Sequence, residues 1–271
     1  MALRIQNNVE AFNAHRMLSG SSDKAAKAME RLSSGYRINR GADDAAGLAI
    51  SEKLRSQIRG LGQAQRNAQD GVSLVQTAEG SLNEVHNMLQ RVRELAVQYQ
   101  NGTLNTTDQA AIQNEADQLA SEISRIGSSA KFNGISLLDS VNTVTFQVGA
   151  DDSDEITASK FSVSASVVSG TSSTATFCLS TITGAGGLDE KITNVAAARG
   201  TFGAVQNRLE YTLANLATYN ENLVASESRI RDVDMAAEMV QFSKNQILSQ
   251  AGTSMLAQAN QSSQGVLSLL R

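Results

Sequence analysis

Residues 54–99 read LRSQIRGLGQAQRNAQDGVSLVQTAEGSLNEVHNMLQRVRELAVQY, and this stretch decides the fold. Leu54, Leu61, Ala68, Val75, Leu82, Leu89 and Ala96 recur at every seventh position, and Ala64, Gly71, Ala78, Val85, Val92 and Tyr99 follow at three-residue offsets. That is an unbroken heptad seam. A second seam runs through Leu188, Val195, Phe202, Leu209, Leu216, Leu223 and Ile230, supported by Ala198, Val205, Tyr219 and Val233. Each spans about 46 residues, roughly 69 Å of helix. Two equal apolar stripes, neither able to bury itself alone, most simply bury each other. Two unrelated surface helices are the alternative, but heptads rarely persist so long by chance. The expected middle core is therefore Leu54, Leu61, Val75, Leu82 and Leu89 against Phe202, Leu209, Leu216 and Leu223.

Composition points the same way. The chain of 271 residues has no proline, where average usage would give roughly 13. Long helices exclude proline. Aromatic residues are only 4% and tryptophan is absent, which suits thin helical layers built on small side chains. A net charge of −4 leaves no basic stripe for phosphates, so nucleic acid is not an expected partner. No run of residues is apolar enough to span a membrane, and the first twenty residues lack the apolar block of a secretory signal.

The N-terminal segment forms a narrow amphipathic helix pattern with Ile5, Val9 and Phe12, then Ala25, Ala28, Met29 and Leu32. The C-terminal segment carries Met235, Met239, Phe242, Ile247, Leu248, Met255 and Leu256, and ends on Val266, Leu267, Leu269 and Leu270. Such stripes are marginal in isolation and need a partner surface.

Between the first helix and the spine, Gly41 and Gly47 bracket Asp43 and Asp44, the signature of a loop feeding a helix start. After the spine, Thr107 or Asp108 would cap a shorter helix through Ile112, Ala116, Leu119, Ile123 and Ile126, which must run back along the spine. Asn133-Gly134 predicts a tight turn, and Val144, Phe146 and Val148 alternate as a half-buried strand. Phe161, Val163, Ala165 and Val167 alternate likewise. About half of residues 153–183 are serine or threonine, read as exposed strands and loops. Cys178, the single cysteine, falls there and rules out an internal disulfide framework. The fold class expected is mainly α: a long antiparallel coiled-coil bundle with a small β-hairpin region.

Chemical motifs are absent. No phosphate-binding loop, nucleophile elbow or HExxH occurs, and the histidines, His15 and His86, are far apart. No enzyme activity, cofactor or metal is expected.

The block ERLSSGYRINRGADDAAGLAISEKLRSQIRGL at 30–61 resembles the N-terminal signature of bacterial flagellins. GAVQNRLEYTLANL at 203–216, ENLVASESRIRDVDMAAEM at 221–239 and SMLAQANQSSQGVLSLLR at 254–271 resemble the C-terminal signature. The likeness covers about residues 1–140 and 187–271, with a very short middle where flagellins vary and where some carry a metallopeptidase insert. It implies a structural subunit that self-assembles into an extracellular motility filament. A hook–filament junction protein, or a secreted coiled-coil effector, is the alternative. The implied organisation is an inner helical domain from 1–42 and 234–271, and a middle domain from 43–187 and 188–233, with no outer domain.

The resemblance implies further partners. Export without a cleaved signal would use the flagellar type III apparatus and an export chaperone covering 234–271. The block LQRVRELAVQ at 89–98 is similar to the flagellin motif recognised by Toll-like receptor 5, which makes Leu89, Arg91, Glu94, Leu95 and Gln98 receptor-contact candidates, and Glu115 on the neighbouring helix matches another position of that site. Spacing alone instead places Leu89 in the seam and packs the helix back on the 112–126 helix. The terminal apolar residues, Ile5 to Leu32 and Met239 to Leu270, are the implied assembly contacts.

Overall fold

The computed structural model describes residues 8–140, 142–168, 179 and 186–269, with the side chains of 168, 186 and 262–269 excepted. Ile5, Cys178 and Leu270, and the side chain of Leu267, lie outside what is described. In chain order come α1 (Val9–Ser34), α2 (Ala45–Tyr99), α3 (Thr106–Ser129), β1 (Lys131–Phe132), β2 (Ile135–Ser136), β3 (Thr143–Gln147), β4 (Glu155–Ser159), a π-helical turn at Ser164–Val168, α4 (Gly186–Arg231) and α5 (Met235–Leu269). They divide into two compact units, Met1–Ser56 with Asn222–Arg271, and Gln57–Glu221. The expected boundaries were 42/43 and 233/234. Leu54 and Leu223 consequently belong to the first unit and not to the middle core.

In the second unit the two seams meet. Leu61, Ala64, Ala68, Val75, Ala78, Leu82, Val85, Leu89 and Val92 of α2 are buried, as are Leu188, Val195, Ala198, Phe202, Val205, Leu209 and Leu216 of α4. The helices are antiparallel: Glu79 Oε1 lies 3.6 Å from Arg199 Nη2, and Asp189 Oδ1 lies 3.2 Å from Arg93 Nη2. At Gly71 a Cβ would stand 3.2 Å from both Leu209 Cδ1 and Phe146 Cδ1. The neighbours thus close in tightly where α2 offers no side chain. Tyr219, a supporting seam residue by spacing, is exposed instead.

The third helix covers the flank of the spine. Ile112, Ala116, Ala120 and Ile123 of α3 are buried, and Leu74 and Leu95 of α2, outside the heptad positions, are buried as well. A third layer widens the apolar stripe that a two-helix coil would need. The α3 cap is Asn105, whose side chain accepts from the Asp108 amide at 2.8 Å, and not Thr107 or Asp108. An N-cap oxygen bonds the amide two or three residues on, so Asp108 is the residue that donates.

The two short sheets are hairpins. Asn133 and Gly134 take φ of 47° and 80°, the left-handed pair that a two-residue loop between β1 and β2 requires. β3 pairs with β4, Val144 opposite Ala158 and Phe146 opposite Ile156, and Phe146, Val148, Ile156 and Ala158 are buried. The alternating run from Phe161 to Val167 is not a strand: Val163 begins a helical turn that continues as Ser164–Val168. Val163 and Val167 are four apart, a spacing that suits one helical face as well as a strand face, and both are fully buried while Ala165 is exposed.

Candidate assembly and recognition surfaces

In the first unit α1 and α5 pair antiparallel. Asn8 Nδ2 donates to the Ala259 carbonyl at 2.9 Å, a Cβ on Gly252 would stand 3.2 Å from Leu18 Cδ1, and Arg31 Nη1 lies 3.6 Å from Glu238 Oε2. Small residues predominate in the seam. On α1 it runs Ala11, Ala14, Leu18, Ser21, Ala25, Ala28 and Leu32, and on α5 Phe242, Asn245, Ser249, Gly252, Leu256 and Ala259, each partly or fully buried. Both series step by three and four, so each lies on one helical face.

Several of the larger apolar residues are left exposed, some beside the seam and some across the helix from it. Val9, Phe12, Met17 and Met29 of α1 are exposed, Phe12 to 71%, and so are Met235, Met239, Val240, Ile247, Leu248 and Met255 of α5. The pair thus closes mainly on alanine, serine and glycine, with Leu18, Leu32, Phe242, Asn245 and Leu256 among them, and leaves much of its apolar bulk exposed. Of the assembly candidates, Leu32, Phe242 and Leu256 are half-buried within the pair, whereas Val9, Phe12, Met29, Met239, Ile247, Leu248 and Met255 are open. Met17, outside that set, shares their exposure.

The connectors 35–44 and 232–234 are tied together. The α1 helix ends at Gly35, φ 76°, whose carbonyl accepts from Val233, while the Arg37 amide donates to Arg231 at 2.7 Å. The Arg231 guanidinium lies 4.8 Å from the Tyr36 ring centre and reaches Glu52 Oε1 at 2.7 Å, holding the Glu52 carboxyl below its ordinary range. Asp44 caps α2 by accepting from Gly47 at 2.8 Å.

In the second unit Arg91 joins two helices. Its Nε and Nη2 donate to Glu115 Oε1 at 3.0 and 2.8 Å and its Nη1 to Glu94 Oε2 at 3.0 Å, so Glu115 first and Glu94 second keep it protonated. Arg91 and Glu115 are about half exposed, Glu94 is more open at 68%, and Gln98 is exposed one heptad beyond Arg91. The two leucines are not on this surface. Leu89 is fully buried in the seam, and Leu95, expected to be exposed beside Arg91, is 1% exposed. Both positions agree with the reading from spacing alone, in which Leu89 lies in the seam and the back of α2 packs on the 112–126 helix.

Among the described residues no group of histidine, cysteine and carboxylate side chains could hold a metal, and no helix is long and apolar enough to cross a membrane. Two family models match: bacterial flagellin N-terminal helical region over residues 5–143, and bacterial flagellin C-terminal helical region over residues 185–270. The chain belongs to the bacterial flagellins. Flagellin of Halalkalibacterium halodurans is 52% identical over 270 residues, covering 98% of this chain and 99% of that one. Flagellin of Bacillus subtilis is 46% identical over 312 residues, covering 99% and 100%. The crystal structure of Bacillus cereus flagellin superposes with a TM-score of 0.50 at 33% identity, over 56% of this chain and 88% of that one. This flagellin is a structural subunit of the flagellar filament. The junction-protein and effector alternatives are not favoured beside flagellin relatives that match along nearly the whole chain.

Proposed function

We propose that this flagellin polymerises through the outward faces of α1 and α5, and that these helices complete their folding when subunits meet. The observation that carries this reading is the distribution of exposed bulk: among the described residues, the large hydrophobic residues standing exposed belong to the first unit, with the exception of Val97, Ile135, Tyr211 and Tyr219. Large apolar side chains gathered in the open on one helix pair mark a site of contact with another molecule. Ordering a residue costs about 1–2 kcal/mol, and a seam of alanine and serine buries little area to offset it. Contacts with neighbouring copies supply the missing burial, which makes assembly a coupled folding reaction. Phe12→Gln combined with Ile247→Gln should leave a soluble subunit that no longer pellets after seeding. Unimpaired sedimentation of that variant would place the contact elsewhere.

The same reading covers export and recognition. The subunit leaves the cell unfolded through the flagellar type III apparatus without a cleaved signal, and a dedicated chaperone covers the apolar tail 234–271 until assembly. Equal chaperone binding by a chain ending at Asp234 would reject that placement. For Toll-like receptor 5, the proposed contact is Arg91, Glu94, Gln98 and Glu115, supported by the likeness of residues 89–98 to the receptor-recognised block and by the exposure of these four side chains. Arg91→Ala should weaken receptor activation by the monomer at least tenfold, and unchanged signalling at matched concentration would remove the receptor from the list of partners.

A further inference from the structure

The chain contains seven methionines, and their placement is uneven. Met17 and Met29 on α1 and Met235, Met239 and Met255 on α5 are between 50% and 69% exposed. Met88 lies in the second unit, half-buried against its core, and Met1 is outside the described residues. Every exposed methionine described thus stands on one helix pair. An unbranched thioether adapts to an imperfect contact better than a branched side chain does, which suits a surface that must pack against neighbouring copies. The same sulfur is open to two-electron oxidants while the subunit is free.

We propose that these five methionines form an oxidation-sensitive modification site, whose conversion to sulfoxide by peroxide or hypochlorite prevents the free subunit from entering a filament. The inference rests on the reading of the outward α1 and α5 faces as subunit contacts. In each step with hydrogen peroxide a sulfur lone pair attacks one peroxide oxygen, the O–O bond breaks and an S–O bond forms. The thioether is oxidised by two electrons, and the departing hydroxide takes the proton shed by the sulfur-bound oxygen and leaves as water. The product is a polar, chiral side chain whose oxygen needs hydrogen-bond donors. Met239 shows what that does to the surface. It lines a shallow apolar groove with Val240, Ile247 and Leu248, with Ser243 and Lys244 beside it. A sulfoxide there is hydrated in the free subunit and loses that water when a neighbour covers the groove, so assembly is penalised and the monomer's own small-residue seam is not. Sulfoxide reductases specific for the two epimers would reverse the block.

The test uses the full-length subunit with Cys178→Ser, so that thiol oxidation is absent. Dilute hydrogen peroxide is added, each methionine is followed by peptide mass spectrometry, and seeded assembly is measured by sedimentation. The five surface methionines should oxidise before Met88, and assembly should slow at least tenfold and recover after treatment with both reductases. A variant with all five changed to leucine should assemble before and after peroxide. If that variant does not polymerise untreated, replacing every methionine by norleucine keeps the unbranched shape without the sulfur and takes its place. Unchanged assembly with all five sites oxidised, or equal loss in the sulfur-free protein, would overturn the proposal. Oxidation of preformed filaments separates this inference from the one beneath it: methionines as reactive there as in the free subunit would show that the α1 and α5 faces are not covered.

Discussion

Lys27 Nζ lies 2.6 Å from Asp43 Oδ1, an ion pair joining α1 to the connector that leads into α2. The other oxygen of the carboxylate accepts from the amides of Asn39 and Arg40 at 3.3 and 3.2 Å. Lys27 foremost, then the Arg40 amide, lower the Asp43 pKa from 3.8 to about 2. A depressed carboxylate contributes stability that is complete above the unfolded value and lost as pH falls through the folded one. Allowing for the solvent screening of a half-exposed lysine, Asp43→Asn should weaken the connector by about 1–2 kcal/mol at neutral pH. The difference from wild type should vanish between pH 3.8 and about 2. Hydrogen exchange at the amides of Asn39 and Arg40 reads this directly, and a difference that persists at pH 2 would contradict the assignment.

Gly47 sits where a side chain has no room. A Cβ would stand 2.4 Å from Asp44 Oδ2 and 2.9 Å from Ile38 Cδ1. Gly47→Ala would ordinarily gain up to about 1 kcal/mol in helix propensity. Here it must displace the capping carboxylate of α2, which costs about 0.5–2 kcal/mol, and press on the buried Ile38. Destabilisation of about 1–3 kcal/mol in urea unfolding is the expected outcome, and a stabilised variant would show that the connector can move aside.

Leu95 and Val97 are two residues apart and differ sharply in burial, 1% against 68% exposed. Leu95→Ala should cost about 2–5 kcal/mol, as a core truncation between α2 and α3. Val97→Ala should fall within about 0.5 kcal/mol of wild type. Equal effects of the two changes in chemical denaturation would mean that α3 does not pack on the Leu95 side of α2.

A fragment of residues 43–233 keeps the whole of the second unit and omits α1 and α5. Its spine carries its own partner, so it should be strongly helical by circular dichroism and unfold cooperatively. It should not form filaments at any concentration or salt. Polymer in the pellet after seeding would move the subunit contact out of the terminal helices.

Much of this architecture is legible in one dimension. The heptad positions from Leu61 to Val92 and from Leu188 to Leu216 are buried where their spacing places them, because helical period is a local property of the backbone and one face of a long helix must be covered. The Asn133-Gly134 turn is equally local, since its left-handed dihedrals favour those two residue types. The missing proline and the flagellin blocks at both ends add to the same reading.

What a stripe packs against is a different matter, because partner choice is made between residues far apart in the chain. Leu95 is buried because α3 covers it: spacing placed the back of α2 against the 112–126 helix, but which of its side chains that contact would bury was decided by α3. Val163 and Val167 satisfy a strand period and a helical one alike, and the strand pairing with β3 went to Glu155–Ser159. At the termini the apolar residues were visible, but the sequence by itself could not show that α1 and α5 would meet mainly through alanine, serine and glycine and leave Phe12, Met239 and Ile247 exposed. That choice belongs to tertiary structure: two helices approach most closely along their small residues, and the bulk they exclude is left for another molecule to cover.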